Sequence, residues 1–401
     1  MAGHGSRCLQ GASVIIFYFI LLSGTLFFCG PLFFYGLYRC FHFSWPLGFA
    51  YIAWWYLVDL ETPNRGGRRA EFVRNNVFFR YMRDYFPVTL LKTTDLDSSK
   101  NYIFGYHPHG MFPDGLALSF GSEALQFSKI FPGIVPYIGA HSSSIPCFVT
   151  KRRHVTTQRR KALLLPRVIA CLTVSLSLDD NQEIHAMINH SINFSMIYYL
   201  NLLIDSLCVV VMSRSPIFRE IAMALGVINV HRDSCKFVLT QQGPGHSVAI
   251  AIGGTCDILN MNRDSYVITL ERRKGFVQLA LETGAHLVPV FAFGQNNVIS
   301  RQLKLNGLLT AYHIGRSKWE KWIKVFLKSC SVLPYAQYCV MPYSTPITVV
   351  VGSPISVERV ENPSKEQINK LHSEYAQKLR ELFYEHRDVC GVPQGTELVI
   401  Q

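Results

Sequence analysis

The sequence predicts an α/β domain behind an N-terminal membrane hairpin, and three observations carry that prediction. The 401 residues are 49% hydrophobic and only 16% charged, a balance that excludes disorder. Before Asp59 the only formal charges are Arg7 and Arg39. Beyond that point, short uniformly apolar runs alternate with amphipathic ones, as buried strands and their covering helices do.

From Val14 to Tyr38 runs an uncharged stretch rich in Phe, Leu and Ile, long enough to cross a hydrocarbon layer of about 30 Å as a helix. It is too long for a signal peptide, and no small-residue cleavage site closes it. A second stretch, Cys40 to Val58, carries Trp45, Trp54, Trp55 and Tyr56, which suit the interface, with Pro46 as a kink. Separated by little more than Arg39, the two form a hairpin. Arg65, Arg68, Arg69 and Arg74 follow, so the positive-inside bias places the rest of the chain on the cytosolic face.

In the body of the chain, buried strands are predicted at Val88–Leu91, Tyr102–Tyr106, Ser247–Ile252, His286–Phe293 and Ile347–Val351, several of them too uniformly apolar for a solvent-facing sheet. Helices are predicted at Arg69–Tyr85, Leu116–Phe127, Pro216–Leu225 and Lys274–Glu282. The best-defined helix opens at Ser364, where Ser364 and Gln367 make a capping box. It continues with Ile368, Leu371, Tyr375, Leu379, Leu382 and Phe383 on one face. The segment 142–212 breaks this rhythm. It begins with a basic cluster from Lys151 to Lys161, then gives an apolar run from Ile192 to Met212 interrupted by Asp205, and it reads as a poorly ordered insert.

The formal charge is +12, which suits polyanionic partners such as phosphate-bearing cosubstrates and acidic lipid headgroups. No basic stripe interleaved with aromatics lies outside the 142–212 segment, so nucleic acid is disfavoured. Eleven cysteines without a C-x-x-C pair indicate neither a disulfide framework nor a zinc ribbon; they read as reduced thiols.

Tyr102-Ile-Phe-Gly-Tyr-His-Pro-His-Gly-Met-Phe-Pro-Asp114 is the most informative stretch. An apolar strand delivers His107 and His109, separated by Pro108, onto a loop closed by Gly110. A histidine at a strand end can serve as a general base at neutral pH. Asp114, five residues after His109, can reach the imidazole by a turn and fix its tautomer, although the spacing alone is weak. Metal ligation by the two histidines and a purely structural pair remain open alternatives, but no further ligands follow at zinc spacing. Gly245-His-Ser-Val-Ala249 nearly spells a nucleophile elbow, yet its Ser starts a strand instead of ending one. Gly253 and Gly254, with Asp257 after them, would let a phosphate or thioester approach the backbone, or simply make a tight turn. Arg214, Arg219, Arg232, Arg272, Arg273 and Lys274 recur beside these turns, the last three opening a helix whose amides could share a phosphate with them.

These motifs resemble the type-2 diacylglycerol acyltransferase family, which also includes monoacylglycerol and wax-alcohol acyltransferases. The resemblance rests on Arg-Asp-Tyr-Phe-Pro (83–87), Tyr-Ile-Phe-Gly-Tyr-His-Pro-His-Gly (102–110), Phe-Pro-Gly (131–133), Arg-x-Pro-x-x-Arg (214–219), Arg-Asp-Ser (232–234), Gly-Gly (253–254), Arg-Lys-Gly-Phe-Val (273–277), Leu-Val-Pro-Val (287–290), Phe-Gly-x-Asn (293–296) and Pro-Tyr-Ser-x-Pro-Ile (342–347), all in family order. It implies a glycerolipid-acyltransferase-like mixed sheet flanked by helices, with a hairpin over 1–60 and an acyltransferase domain over 61–401. It implies transfer of a fatty acyl group from acyl-CoA to a lipid hydroxyl, diacylglycerol above all, at the endoplasmic reticulum membrane and lipid droplets.

By that resemblance His107, Pro108, His109 and Gly110 form the active-site motif, with His109 as base and Asp114 as its orienter. Arg214, Arg219, Arg232, Arg273 and Lys274 hold CoA phosphates, while amides near Gly110 or Gly254 face the oxyanion. No cofactor or metal is implied, since acyl-CoA is a substrate; membrane lipids are partners, and a homo-oligomer is left open. Three positions depart from the family pattern: Asp257 and Gln295 stand where Glu is usual, and Glu271 replaces a basic residue. A Gly-Arg-Gly segment is also missing before Pro342. With the 142–212 insert, these departures favour retained intronic text and a lost exon over an inactive relative.

Overall fold

The computed structural model describes residue 7 and residues 9–16, 50–51, 53–110, 112–140, 216–254, 256–257, 261, 265–298 and 342–401. Of the first predicted span only the opening turn is described, helical over 9–16; of the second, only the end beyond residue 49. Among the described residues no helix is long and apolar enough to cross a membrane. The 142–212 segment lies outside the described residues.

The sheet has seven strands. In chain order its members are β1 (Val88–Lys92), β2 (Tyr102–His107), β3 (Val135–Ala140), β4 (Val227–Asn229), β5 (His246–Ala251), β7 (His286–Phe293) and β8 (Ile347–Val351), and in space they run β1-β8-β7-β2-β5-β3-β4. All neighbouring pairs are parallel except β7 with β8. The sheet is therefore mixed and mostly parallel. A separate parallel pair joins β6 (Tyr266–Ile268) to β9 (Leu398–Ile400).

The predicted strands are found within one residue of their expected ends, and β2, β7 and β8 are buried on both faces. Strand β1, however, is not the buried strand expected: at the edge of the sheet it buries only Val88 and leaves Thr89, Leu91 and Lys92 exposed. Every residue of β2 is buried. Tyr102, Phe104 and Tyr106 point into one core with Phe120 and Phe127, while Ile103 points into the other with Tyr375, Leu379 and Phe383. Parallel strands covered on both faces account for that pattern. The long C-terminal helix, Lys365–His386, opens with both hydrogen bonds of the predicted Ser364–Gln367 capping box and lays Leu371, Tyr375, Leu379, Leu382 and Phe383 against the sheet.

Two predicted helices take a different form. Arg69–Tyr85 is interrupted, giving α1 (Glu71–Arg74) and α2 (Val77–Tyr85). Asn75 ends the first, and the Asn76 side chain caps the second by accepting from Phe78 N at 2.9 Å, which is what a short polar side chain does at a helix start. Leu116–Phe127 is instead a turn α3 (Asp114–Leu116), a π-helical turn Ala117–Gly121 and a later α4 (Phe127–Ile130). The Ser122 hydroxyl donates to the Leu118 carbonyl at 2.9 Å, closing the π turn. Downstream come α5 (Pro216–Ala224), α6 (Arg232–Gln241), α7 (Gly275–Thr283) and α8 (Lys365–His386). Strands β3, β4, β6 and β9 and helix α6 were not expected; three of those strands span only three residues, too few for a period to register.

Of the arginines that carry the positive-inside bias, Arg68 and Arg74 are held in ion pairs. Arg74 is fully buried and donates to the carbonyls of Phe120, Gly121 and Leu225 at 2.9–3.0 Å and to Glu123 at 3.2 Å. Arg68 pairs with Asp59 and Glu220.

Candidate active site

Three adjacent parallel strands, β7, β2 and β5, end at the same edge of the sheet, and each hands over to a loop bearing a motif residue. Their register pairs Tyr106 with Ala251 and His107 with Phe291, so His109, Gly253 and Gln295 arrive together. Ligands in α/β sheets gather at this carboxyl edge.

His109 is half-buried, and its Nδ1 lies 2.8 Å from the carbonyl oxygen of Gly110. A carbonyl only accepts, so Nδ1 carries the proton and Nε2 keeps its lone pair. Burial pushes the imidazole below its ordinary value, opposed by the Gly110 carbonyl and the charge of Asp257. The ring is thus a neutral base at physiological pH.

Asp257 is almost fully buried. Its Oδ1 accepts from Thr269 N at 2.7 Å and its Oδ2 from His109 N at 3.3 Å. The carboxylate lies so close to Gly253 that a Cβ there would meet it at 1.9 Å; only glycine fits. Burial raises the carboxyl, with those two amides and the imidazole pulling the other way. Asp257 is the carboxylate whose charge acts on His109. Asp114 is buried too, but it opens the α3 turn and its charge acts on Tyr106.

His107 is placed differently from His109. It is fully buried, its Nε2 lies 3.2 Å from the Tyr375 hydroxyl, and that hydroxyl donates to the Gly105 carbonyl at 3.1 Å. Burial lowers its pKa to about 3, so it stays neutral. A Cβ at Gly105 would meet the Tyr375 oxygen at 1.9 Å, which is why the strand carries glycine where α8 crosses it.

Gln295, in the turn after β7, fastens the histidine loop. Its Oε1 lies 2.9 Å from both the Tyr106 hydroxyl and Gly115 N, and its Nε2 donates to the Phe112 carbonyl at 2.9 Å. Gly110 adopts φ +66°, and a Cβ there would come within 2.8 Å of Gln295 Cγ.

The expected phosphate-binding cations divide. Arg273 lies at the Gly-Gly turn, its Nη2 3.3 Å from the Gly253 carbonyl and 3.4 Å from Cys256 Sγ. Gly254 next to it takes φ +55°. Lys274 precedes α7 and donates to Asn369 at 2.6 Å. Arg219 is buried, paired with Asp59 at 2.5 Å and Glu220 at 2.8 Å, and lies 5.4 Å from the Trp55 ring centre. Arg232 pairs with Glu282. Arg214 lies outside the described residues. The edge therefore brings together His109, Gly110, Gly253, Gly254 and Arg273, and it leaves Arg219 and Arg232 fastened elsewhere. Asp257, Gln295 and Tyr375 had not been given these roles. The signals for two of them were Gly253 and Gly105, glycines whose missing Cβ makes room for a buried polar group. Among the described residues no group of three or more His, Cys, Asp or Glu could hold a metal ion.

The family model described as diacylglycerol acyltransferase matches residues 37–176 and 183–401. The human protein 2-acylglycerol O-acyltransferase 3 is 31% identical over 384 residues, covering 93% of this chain and 89% of that protein. Diacylglycerol O-acyltransferase 2 of Bos taurus is 32% identical over 367 residues, covering 89% and 80%. The Danio rerio protein of the same name is 32% identical over 359 residues, again covering 89% and 80%. No solved structure matches the chain.

Proposed function

Because the chain belongs to the diacylglycerol acyltransferase family and is an O-acyltransferase, we propose that it moves a fatty acyl group from acyl-CoA to the free hydroxyl of diacylglycerol, yielding triacylglycerol, with His109 as general base. One observation carries the assignment of the base. The Gly110 carbonyl holds the proton on Nδ1, which leaves Nε2 to take a proton from the acceptor hydroxyl.

In this reading the acceptor oxygen gives its proton to His109 Nε2 and attacks the thioester carbonyl. The tetrahedral oxyanion collapses, the carbon–sulfur bond breaks, and the imidazolium returns the proton to the departing CoA thiolate. Asp257 stabilises the imidazolium by its charge and holds the His109 backbone. His107 is a positioning residue, tied to Tyr375 and through it to β2. Backbone amides at Gly110 and Gly254 are the oxyanion donors, and Arg273 and Lys274 take the CoA phosphates.

We place the enzyme at the cytosolic face of the endoplasmic reticulum membrane, with lipid droplets as a second site. The exposed Leu57, Val58 and Phe72 beside the N-terminal apolar run support this. A second acceptor, monoacylglycerol, is favoured by one observation, the 31% identity to a 2-acylglycerol O-acyltransferase.

Membranes containing the full chain should convert labelled oleoyl-CoA and diacylglycerol to triacylglycerol, and monoacylglycerol offered in competition decides the acceptor. His109→Ala should lower kcat by about 10²–10⁴-fold at unchanged abundance, the usual contribution of a positioned base. Full activity in that variant sinks the base assignment.

A further inference from the structure

We propose that Gln295 is a positioning residue for the His109 loop, and that its amide, as distinct from a carboxylate, is what keeps the loop closed at every physiological pH. The inference rests on the reading of His109 as base. It starts from an orientation the hydrogen bonds leave no choice about. Gly115 N–H can only donate and the Phe112 carbonyl can only accept, so the atom at 2.9 Å from the first is oxygen and the atom at 2.9 Å from the second is nitrogen. The Tyr106 hydroxyl then donates to the same oxygen.

Those partners bracket the catalytic loop. Tyr106 ends the apolar part of β2 two residues before Pro108, Phe112 lies three residues beyond His109, and Gly115 lies in the α3 turn that follows. One side chain from the end of β7 thus fixes the loop before and after His109, and its Cγ lies where a Cβ of Gly110 would be. Gln295 is itself 1% exposed, so water cannot replace a lost bond cheaply.

A carboxylate at this position could still accept from Tyr106 and Gly115, but it would set an oxygen against the Phe112 carbonyl. A neutral carboxyl group would restore the third bond, its O–H donating as Nε2–H does now. Gln295 makes all three bonds without a proton.

The test is Gln295→Glu in membranes bearing the full chain, with acyl-CoA and diacylglycerol saturating, compared with wild type and with Gln295→Met. The ratio of Gln295→Glu to wild-type kcat should be about 10²-fold below unity near pH 8, the scale of a displaced catalytic group. It should climb toward unity as pH falls to about 6, since burial favours the protonated carboxyl. KM for acyl-CoA should stay within about twofold of wild type. Gln295→Met, which cannot protonate, should lose rate by a factor that does not vary with pH.

Measuring both limbs on one membrane preparation separates the latch from misfolding, because a misfolded variant does not regain activity on acidification. A Gln295→Glu ratio that is flat with pH, at unity or below it, overturns the proposal. His109→Ala is read separately: activity there removes the base, while the Gln295→Glu ratio still reports whether the loop has a proton-dependent latch.

Discussion

The molecule handles buried charge in two opposite ways. Around the N-terminal segment, every buried ion described has an opposite partner in reach. Asp59 takes Arg68 and Arg219, and Arg74 takes Glu123 plus three carbonyls. At the carboxyl edge of β2 and β5, Asp257 is buried with two backbone amides and a neutral imidazole for company. In the first region the charge is compensated within the fold. In the second it is undercompensated, and under the proposed mechanism its best partner is the imidazolium that forms on His109. Charge that waits for a transition state is what a catalytic edge requires.

The largest expected effect tests the compensated region. Arg74→Met leaves Glu123 with only Ser128 to bond it and strips donors from three carbonyls. Removing one partner of a buried pair costs about 3–5 kcal/mol. Thermal unfolding of the purified full chain should drop sharply, while kcat per folded molecule stays within about twofold. A fall in kcat without a fall in unfolding temperature would erase the contrast between the regions.

The next effect tests the undercompensated edge. Asp257→Asn keeps the shape, removes the charge and leaves one oxygen for the two amides that Asp257 accepts from, and should lower kcat by about 10²-fold, roughly 2.7 kcal/mol of transition-state stabilisation. It also has a pH signature. The Asp257 charge raises the His109 pKa against burial, so its removal lets the imidazole stay neutral to lower pH. The acid limb of kcat/KM should therefore move downward in pH. An unmoved limb with a wild-type rate would make Asp257 a scaffold residue like Asp59.

These two regions were not equally legible in the sequence. Strands β2, β7 and β8 were readable because a strand covered on both faces has no polar alternation to blur it, and the capping box at Ser364 announced α8 locally. His109 and Gly110 were readable as a motif at a strand end. Asp257, Gln295 and Tyr375 reach the site from 148, 180–189 and 268–270 residues away in sequence, so no local spacing could reveal them. The ion pairs of Arg219 and Arg232 were hidden for the same reason: their partners Asp59 and Glu282 lie 160 and 50 residues away. A cation's availability depends on which acids the fold delivers to it.

The smallest effect falls on the boundary between the two regions, at His107. It sits on the catalytic motif yet behaves like the scaffold: fully buried, neutral, and tied to Tyr375. Tyr375→Phe removes the hydroxyl that links His107 to the Gly105 carbonyl and leaves two buried polar groups short of a partner, at a cost of about 1–3 kcal/mol. If His107 only positions the loop, unfolding temperature should fall by a few degrees and kcat by less than about tenfold, with the acid limb of the pH profile unmoved. A displaced limb would mean that the Tyr375–His107 pair shares in the proton transfer, and would move the border of the catalytic edge one residue further down β2.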